Sequence, residues 1–318
     1  MNRRLLLAAG VSALAGACQK PVGPVHFKVA EGFAPVPGGK VWWRKVGDGP
    51  KAPLLTLHGG PGAAHNYLNS LRALADQRPV IFYDQLGCGR SDAPGDPSLW
   101  TIGRFCDEID ALRAALGLTR ITLLGHSWGG FLAIEYMTRG ATPPPGVEAL
   151  VLSSTSASTA EAAAGMRRLV AALPNGAGAR IAALERAGQT GSKEYQDLTA
   201  LFYARHLFRG ANMPPDGEAS LAALSRSPVY PVMNGPSEWD IVGNLRTWDR
   251  TADLGKITAP TLVTCGEFDE VTIECSQTLD NDIPNARIEI LKGCSHLCTL
   301  EKPETYNAMV RWFLSDKA

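Results

Sequence analysis

The sequence has no excess of charge of either sign, because its 318 residues include 31 lysines and arginines and 31 aspartates and glutamates. A balanced chain offers no electrostatic capture of nucleic acid or of an anionic surface, so no nucleic-acid partner is expected. Internal repeats, heptads and low-complexity tracts are also missing. With 45% hydrophobic residues, the chain is long enough for one large core with an inserted subdomain, or for two domains.

Residues 1–18 have the proportions of an export signal. Arg3 and Arg4 provide a basic start, which is consistent with twin-arginine export, and the apolar run at 5–17 is too short to span a bilayer. Small residues precede Cys18, as at a bacterial lipoprotein cleavage site. We expect an exported protein, periplasmic or lipid-anchored, whose membrane contact is a lipid on Cys18. A disordered cytosolic extension is the alternative.

Six cysteines remain beyond the leader, and their spacing does not match a zinc site. His296 lies between Cys294 and Cys298, but no second pair of ligands accompanies them. An even number of cysteines in an exported protein permits disulfides, although the sequence gives no pairing. Cys88 and Cys265 are interpreted as buried free thiols. No metal or cofactor is expected.

From about residue 40, strand-like and helix-like patterns alternate. Such alternation predicts an α/β fold, with a mostly parallel sheet, helices on both faces and ligands at the carboxyl ends of the strands. The first strand-like segments are 41–46, 53–58, 79–84, 120–124 and 147–152, and the first helical ones are 67–77 and 101–116.

The alternation stops between residues 156 and 254, where the sequence is alanine-rich and helical. It resumes with strands at 260–266 and 286–291 and a helix at 304–314. A helical block between two sheet strands predicts a cap over the active site, and a helical excursion remote from the site is the alternative. We expect core at 19–155 and 255–318 and the cap at 156–254, with helices at 160–172, 178–188, 193–209 and 217–226.

Residues 125–129 read Gly-His-Ser-Trp-Gly, with a strand-like run before them and a helix-like run after them. A strand that turns sharply into a helix strains the serine at its apex and exposes the hydroxyl. The flanking glycines are needed because a Cβ there would collide with the neighbouring strand and helix. Ser127 is therefore the predicted nucleophile, and a glycine-rich turn with a buried serine is the alternative.

A serine hydroxyl needs a base to act as a nucleophile. His296 follows the last predicted strand, where the α/β-hydrolase fold places its base, whereas His58 and His126 are interpreted as structural. The order Ser127, Asp269, His296 matches the serine, acid, histidine order of that fold.

Two other acids, Glu267 and Glu270, stand next to the predicted orienting acid Asp269. Either could be the orienting acid instead, or a solvated loop charge.

The predicted oxyanion donors are the backbone N–H groups of Trp128 and Gly60. Gly60 lies in the loop 59–62 (Gly-Gly-Pro-Gly). A phosphate cradle there is disfavoured because no Lys-Ser or Lys-Thr follows the loop.

Several motifs together resemble the proline iminopeptidases, α/β-hydrolase aminopeptidases that release N-terminal proline and other residues. The cap segment 234–239 (Asn-Gly-Pro-Ser-Glu-Trp), with 243–244 and 247–249, resembles the archaeal tricorn-interacting aminopeptidase branch. The resemblance extends from about residue 28 to the C-terminus. The core motifs are 58–62 (His-Gly-Gly-Pro-Gly), 84–91 (Asp-Gln-Leu-Gly-Cys-Gly-Arg-Ser), 125–130, 266–269 and 294–296.

The resemblance implies a serine hydrolase that releases N-terminal proline or other small or apolar residues from peptides through an acyl-enzyme, with a short peptide or an amino-acid amide as its binding partner. It assigns Glu238 to the substrate amine, beside Gly59 and Trp239 as further substrate-binding residues. The family uses more than one cap acid. The candidates for the second are Glu194, Glu218 and Asp240, and the aromatic candidates for the pocket wall are Trp248, Tyr203 and Tyr230.

Two alternatives to the aminopeptidase remain open. One is an amino-acid amide, ester or lactone hydrolase on the same triad, and the other is a hydrolase-fold binding protein without enzymatic activity.

Overall fold

Eight strands form one mostly parallel sheet in the computed structural model, which describes residues 26–315. The predicted leader and Cys18 lie outside the described residues. The strands are β1 Val29–Val36, β2 Gly39–Val46, β3 Leu54–Leu57, β4 Val80–Tyr83, β5 Ile121–His126, β6 Val147–Ser153, β7 Thr261–Gly266 and β8 Ala286–Leu291. Their order in the sheet is β1-β2-β4-β3-β5-β6-β7-β8, with β1 and β2 antiparallel to their neighbours and all other pairs parallel.

Ten α-helices accompany the sheet in the described part of the chain. The five α-helices between β6 and β7 are called the cap helices below. The core helices are α1 Ile102–Ala115, α2 Trp128–Thr138, α8 Ile273–Asp282, α9 Cys298–Glu301 and α10 Pro303–Ser315. The cap helices are α3 Thr159–Ala171, α4 Ala177–Arg186, α5 Lys193–His206, α6 Pro215–Leu224 and α7 Val229–Met233.

The predicted α/β architecture is confirmed, and the differences have physical reasons. β1 was not predicted because it is an edge strand without a continuous apolar run, and its Phe33 is 56% exposed. The predicted helix 67–77 is a run of 3-10 turns at His65–Asp76. Its apolar residues Leu68, Leu71 and Leu74 recur every three positions, which is the period of a 3-10 helix. The short helices α7 and α9 and the longer helix α8 were not predicted either.

Both faces of the sheet are covered by apolar side chains. Successive residues of β3 point in opposite directions, so Leu55 packs with the cluster that contains Phe105 of α1, and Leu54 packs with the cluster that contains Phe313 of α10. The first cluster continues into the cap through Phe202. None of the helices in residues 26–315 is long and apolar enough to cross a bilayer.

The two connections between cap and core run side by side. Arg250 N–H donates to the carbonyl of Ala157, and Thr159 N–H donates to the carbonyl of Trp248. The Glu135 carboxylate on α2 accepts from the Trp248 indole at 2.9 Å and from the Arg250 guanidinium at 2.6 and 2.7 Å. The cap is thus fastened to the helix that follows Ser127.

The six described cysteines are all buried free thiols. This agrees with the interpretation of Cys88 and Cys265, and no disulfide joins residues within 26–315.

The strand-turn-helix predicted at Ser127 is present. β5 ends at His126, α2 begins at Trp128, and Ser127 between them has φ 55° and ψ −126°. This backbone conformation is strained for a residue with a side chain. Gly129 lies so close to β3 that a Cβ would overlap the carbonyl oxygen of Leu57.

We therefore expect Gly129→Ala to lower the free energy of unfolding by roughly 1–3 kcal/mol, because the added methyl group has only backbone to displace. The measurement is urea unfolding. Gly103→Ala is the matched control, because Gly103 is exposed in α1 and its Cβ would meet nothing within 4 Å. That change is expected to raise stability by up to about 1 kcal/mol. Equal effects of the two substitutions would contradict the packing argument.

Candidate active site

The carboxyl ends of β5, β7 and β8 bring together Ser127, Asp269 and His296. His296 Nδ1–H donates to Asp269 Oδ1 at 2.7 Å. Asp269 also accepts from the backbone N–H of Val271 at 3.0 Å and of Gly266 at 3.3 Å, so its position is fixed. His296 and Asp269 are each 3% exposed, while Ser127 is partly exposed.

Ser127 and His296 line the same cavity. Within residues 26–315 no hydrogen bond joins the Ser127 hydroxyl to either ring nitrogen of His296. A bond of this kind is often long without substrate and tightens when substrate binds.

The end of cap helix α5 holds the loops that carry the acid and the histidine. The carbonyl of His206 accepts from Glu270 N–H at 3.2 Å and from His296 N–H at 3.0 Å, and the carbonyl of Leu207 accepts from Leu297 N–H at 3.0 Å. The His206 ring adds a bond from Nδ1 to the carbonyl of Phe268 at 2.9 Å. The positions of these loops thus depend on the cap.

A second hydrogen-bond network reaches the backbone carbonyl of His296. The Tyr67 hydroxyl accepts from Gly59 N–H at 2.7 Å and lies 2.9 Å from His126 Nδ1, and His126 Nε2 lies 2.9 Å from the carbonyl of His296. The carbonyl requires Nε2 to carry the proton, so Tyr67 donates to Nδ1. Burial, together with the nearby His296, lowers the pKa of His126 to about 3, which keeps it neutral. The prediction that His126 is structural fits this placement.

The two predicted oxyanion donors lie beside Ser127. Trp128 is the first residue of α2, so its N–H has no acceptor within the helix. Gly60 lines the cavities on both sides of Ser127. Gly59 allows the close approach, because a Cβ there would lie 3.0 Å from that of Ser127.

His58 and Gln85 shape this loop. His58 Nδ1–H donates to the carbonyl of Gly59 at 2.9 Å, and His58 Nε2 accepts from Gln85 N–H at 3.0 Å. The Gln85 amide then donates to the carbonyl of His58 and accepts from the Trp128 indole. Burial lowers the pKa of His58 to about 4, so this ring is neutral and structural.

Two cavities meet at Ser127, and Gly60, Glu238 and Glu270 line both. The first, called the wide cavity below, has a volume near 170 Å³ and extends past His296 toward cap helix α6. The second, called the narrow cavity, is smaller and extends past Trp128 toward Phe131 and Met166. An acyl group bound to Ser127 would therefore have space on either side.

Two carboxylates face this junction. Glu270 is 3% exposed, its Oε2 has no hydrogen-bond partner, and its Oε1 lies 3.6 Å from His296 Nε2. Burial, with the nearby Glu238 and Asp269, raises the pKa of Glu270 to about 8. Burial also raises the pKa of Glu238, against the opposing influence of Tyr230 and His296. A buried carboxylate oxygen without a partner is costly, so this site is suited to a cation.

The same acids act on the histidine. Burial disfavours the protonated ring, but the carboxylates of Asp269, Glu270 and Glu238 outweigh it and raise the pKa of His296 to about 9.

Several predicted residues lie elsewhere. Trp239 does not line either cavity, because its ring is buried against Phe202 and its indole donates to Glu185 at 2.7 Å. Its substrate-binding assignment is replaced by a role in the core of the cap. None of the candidates for a second amine-binding acid lines a cavity: Glu194 pairs with Arg180, Asp240 pairs with Arg167, and Glu218 is exposed.

The aromatic candidates separate in the same way. Tyr203 lines the wide cavity. Trp248 stacks on Phe131 at 4.7 Å, and Tyr230 lies close enough to Glu238 to lower the pKa of that acid, but neither residue lines one of these two cavities.

The acid that sequence reasoning missed is Glu270. The sequence offers Glu270 as an alternative orienting acid or as a solvated loop charge, and its burial excludes the solvated role. Glu267, three residues earlier, is exposed and accepts from Gly293 N–H at 2.8 Å. No pattern in the sequence separates these two glutamates, because burial of Glu270 depends on the cap.

Comparisons with known proteins agree with this geometry. The family model described as "alpha/beta hydrolase fold" matches residues 52–303. The proline iminopeptidase of Heyndrickxia coagulans is 37% identical over 286 residues, which cover 90% of this chain and 98% of that protein. The one from Saccharolobus solfataricus is 37% identical over 91% of this chain and 93% of its own.

Solved structures show the same likeness. The crystal structure of the proline iminopeptidase of Mycobacterium smegmatis matches with a TM-score of 0.84 and 37% identity, over 91% of this chain and 98% of that chain. The crystal structure of VinJ matches with a TM-score of 0.86 and 34% identity, over 91% and 99% of the two chains. With its fold, its active-site geometry and these relatives in agreement, the chain belongs to the proline iminopeptidase family of α/β hydrolases.

Proposed function

We propose that this enzyme is a serine aminopeptidase that releases N-terminal proline, or another small apolar residue, from short peptides. The observation that carries this proposal is the pair of partly and fully buried carboxylates, Glu238 and Glu270, at the junction of the two cavities beside Ser127. A free amino terminus supplies the cation that these acids require. The family membership of the chain supports the same activity.

In the proposed mechanism, Ser127 Oγ attacks the scissile carbonyl carbon while its proton passes to His296 Nε2. Asp269 holds the imidazole through Nδ1 and stabilises its charged form. The backbone N–H groups of Gly60 and Trp128 donate to the oxyanion. His296 then gives the proton to the leaving nitrogen as the carbon–nitrogen bond breaks. A water molecule, deprotonated by His296, hydrolyses the acyl-enzyme and restores Ser127.

Amine binding and base activation are linked in this site. A proton is held on His296 partly by the charge of Glu270. An ammonium group bound between Glu238 and Glu270 offsets that charge. Substrate binding therefore lowers the pKa of His296 and favours the neutral ring that the first step needs.

Peptides are favoured over the amide, ester and lactone substrates of the alternative hydrolase. The wide cavity next to His296 has room for a further residue beyond the scissile bond, which a simple amide, ester or lactone would leave empty. The helical cap at 156–254 supplies one acid of the amine site, Glu238, so the proposed specificity arises between cap and core.

We also propose that the chain lies in the tricorn-interacting aminopeptidase-like branch. The cap segment 234–239, with 243–244 and 247–249, supports this assignment. A phylogenetic tree that places the chain outside that branch would contradict the assignment.

Export, with a lipid on Cys18, is a further proposal, supported by the basic start, the apolar run and the small residues before that cysteine. Intact-mass and peptide mass spectrometry of the membrane fraction is expected to show a chain that begins at an acylated Cys18. A chain that retains Met1 in the soluble fraction would contradict both export and lipidation.

The amine site predicts that aminoacyl arylamides with a free amino terminus are hydrolysed and their N-acetylated forms are not. Glu238→Gln and Glu270→Gln are each expected to lower kcat/KM for prolyl p-nitroanilide by roughly 10- to 150-fold, the range for loss of a hydrogen bond to a charged group. The measurement is steady-state kinetics on both forms of the substrate.

Two controls accompany this panel. Glu218→Gln removes an exposed cap carboxylate that lines neither cavity, so it is expected to leave kcat/KM unchanged. Ser127→Ala is expected to abolish turnover. Equal hydrolysis of free and acetylated substrates would remove the role given to Glu238 and Glu270.

The field of Glu270 on His296 predicts a pH effect. Reaction of Ser127 with a neutral fluorophosphonate requires the neutral ring, so its rate rises with pH through the pKa of His296. Because Glu270 raises that pKa, Glu270→Gln is expected to lower the midpoint of the rise by about one pH unit. Glu267→Gln, which changes the exposed acid of the same loop, is expected to leave it unchanged. An unshifted midpoint in Glu270→Gln would show that this carboxylate does not act on the base.

A further inference from the structure

The proton transfer from His296 to the leaving group indicates which part of the substrate each cavity holds. His296 must deliver its proton to the leaving nitrogen, so the leaving group lies on the histidine side of Ser127. The wide cavity is lined by His296, His126 and Leu297, and the narrow cavity by neither histidine. The acyl residue therefore occupies the narrow cavity, and the residue that follows the scissile bond occupies the wide one.

The wall of the wide cavity that faces the leaving group is apolar. Its side chains include Leu207, Leu221, Leu224, Leu297 and Ala63. An apolar substrate side chain that packs against these residues is removed from water, which is favourable. A polar side chain finds no hydrogen-bond partner among them.

Ser220 and Tyr67, two polar residues on this wall, already have hydrogen-bond partners. The Ser220 hydroxyl donates to the carbonyl of Ala64 at 2.9 Å and accepts from Tyr67 N–H at 3.2 Å. The Tyr67 hydroxyl is occupied by Gly59 and His126. Apart from the nucleophile and the two histidines, the remaining polar side chains among the described residues of this cavity are the acids of the amine site and Tyr203, whose charged neighbours are those same acids.

The charges around the wide cavity give a second criterion for the residue that it accepts. None of the described residues that line the wide cavity is a lysine or an arginine, while Glu238 and Glu270 line it where it meets the narrow cavity. A carboxylate on the leaving residue, whether a side chain or a free C-terminus, would lie near two acids with no cation to pair with.

We propose that the wide cavity selects the residue after the scissile bond and accepts an apolar side chain without a carboxylate. The preferred substrates are then peptides in which a small N-terminal residue precedes a leucine- or phenylalanine-like residue whose chain continues or ends in an amide. This inference depends on the proposed aminopeptidase function and names its substrate class.

A panel of prolyl dipeptide amides tests it, with Leu, Phe, Asn and Asp as the second residue. The kcat/KM for Pro-Leu amide is expected to exceed that for Pro-Asn amide by about tenfold or more, the range for an apolar pocket. Pro-Asp amide and the free acid of Pro-Leu are expected to react more slowly still. Prolyl p-nitroanilide is included as the reference substrate.

Substitution of the wall provides the matched test. Leu224→Gln on α6 is expected to reduce the Leu-to-Asn ratio severalfold. Leu198→Gln, a change of another partly buried cap leucine that lines neither cavity, is expected to preserve the ratio. The rate of Ser127 labelling by a small fluorophosphonate reports whether each variant is folded.

The outcomes separate the two proposals. Equal kcat/KM for the Leu, Asn and Asp amides, with normal hydrolysis of prolyl p-nitroanilide, would overturn the subsite and leave the aminopeptidase standing. Failure to hydrolyse any substrate with a free amino terminus would overturn both. If Leu224→Gln does not fold, the panel on the unaltered enzyme still decides.

Discussion

The carbonyl of His206, at the end of cap helix α5, is the constraint on which the rest of the site depends. It accepts from the backbone N–H groups of both Glu270 and His296. One acid of the proposed amine site, Glu238, comes from the cap, and the other, Glu270, comes from a core loop. The distance between the two acids therefore depends on how the cap docks on the core. The distance from each acid to Ser127 depends on the same docking. A shift of the cap would therefore change the distance between the two acids and at the same time move His296.

Two neighbouring histidines show how environment separates their roles. The rings of His126 and His296 lie 4.8 Å apart, edge to face, and both are buried. His126 has no carboxylate in contact and bonds to a hydroxyl and a carbonyl, so burial keeps it neutral. His296 bonds to Asp269 and lies near Glu270, so these carboxylates outweigh burial and raise its pKa. A charge on His126 would oppose the imidazolium that forms at His296 in each catalytic cycle.

The features that sequence patterns predicted are those fixed by short stretches of chain. The turn at Ser127 follows from a strand, two close-packed glycines and a helix, and the placement of Asp269 and His296 follows from the order of strands in the fold. The inward or outward direction of an acid depends on contacts made far along the chain. Glu270 is buried because α5 covers its loop, whereas Trp239 turns away because Glu185 on α4 accepts its indole N–H. Neither contact has a local signature.

The buried acids also give a reason why selectivity for a free amine should be strong here. An ion pair at about 4 Å contributes only about 1 kcal/mol in water but about 4 kcal/mol at the effective dielectric constant of a protein site. Burial raises the pKa of Glu238 and Glu270, so their ionised forms are costly without a cation beside them. An incoming ammonium group stabilises both ionised acids and offsets the charge that Glu270 presents to His296. An acetylated amine brings no charge, so it leaves both acids unpaired.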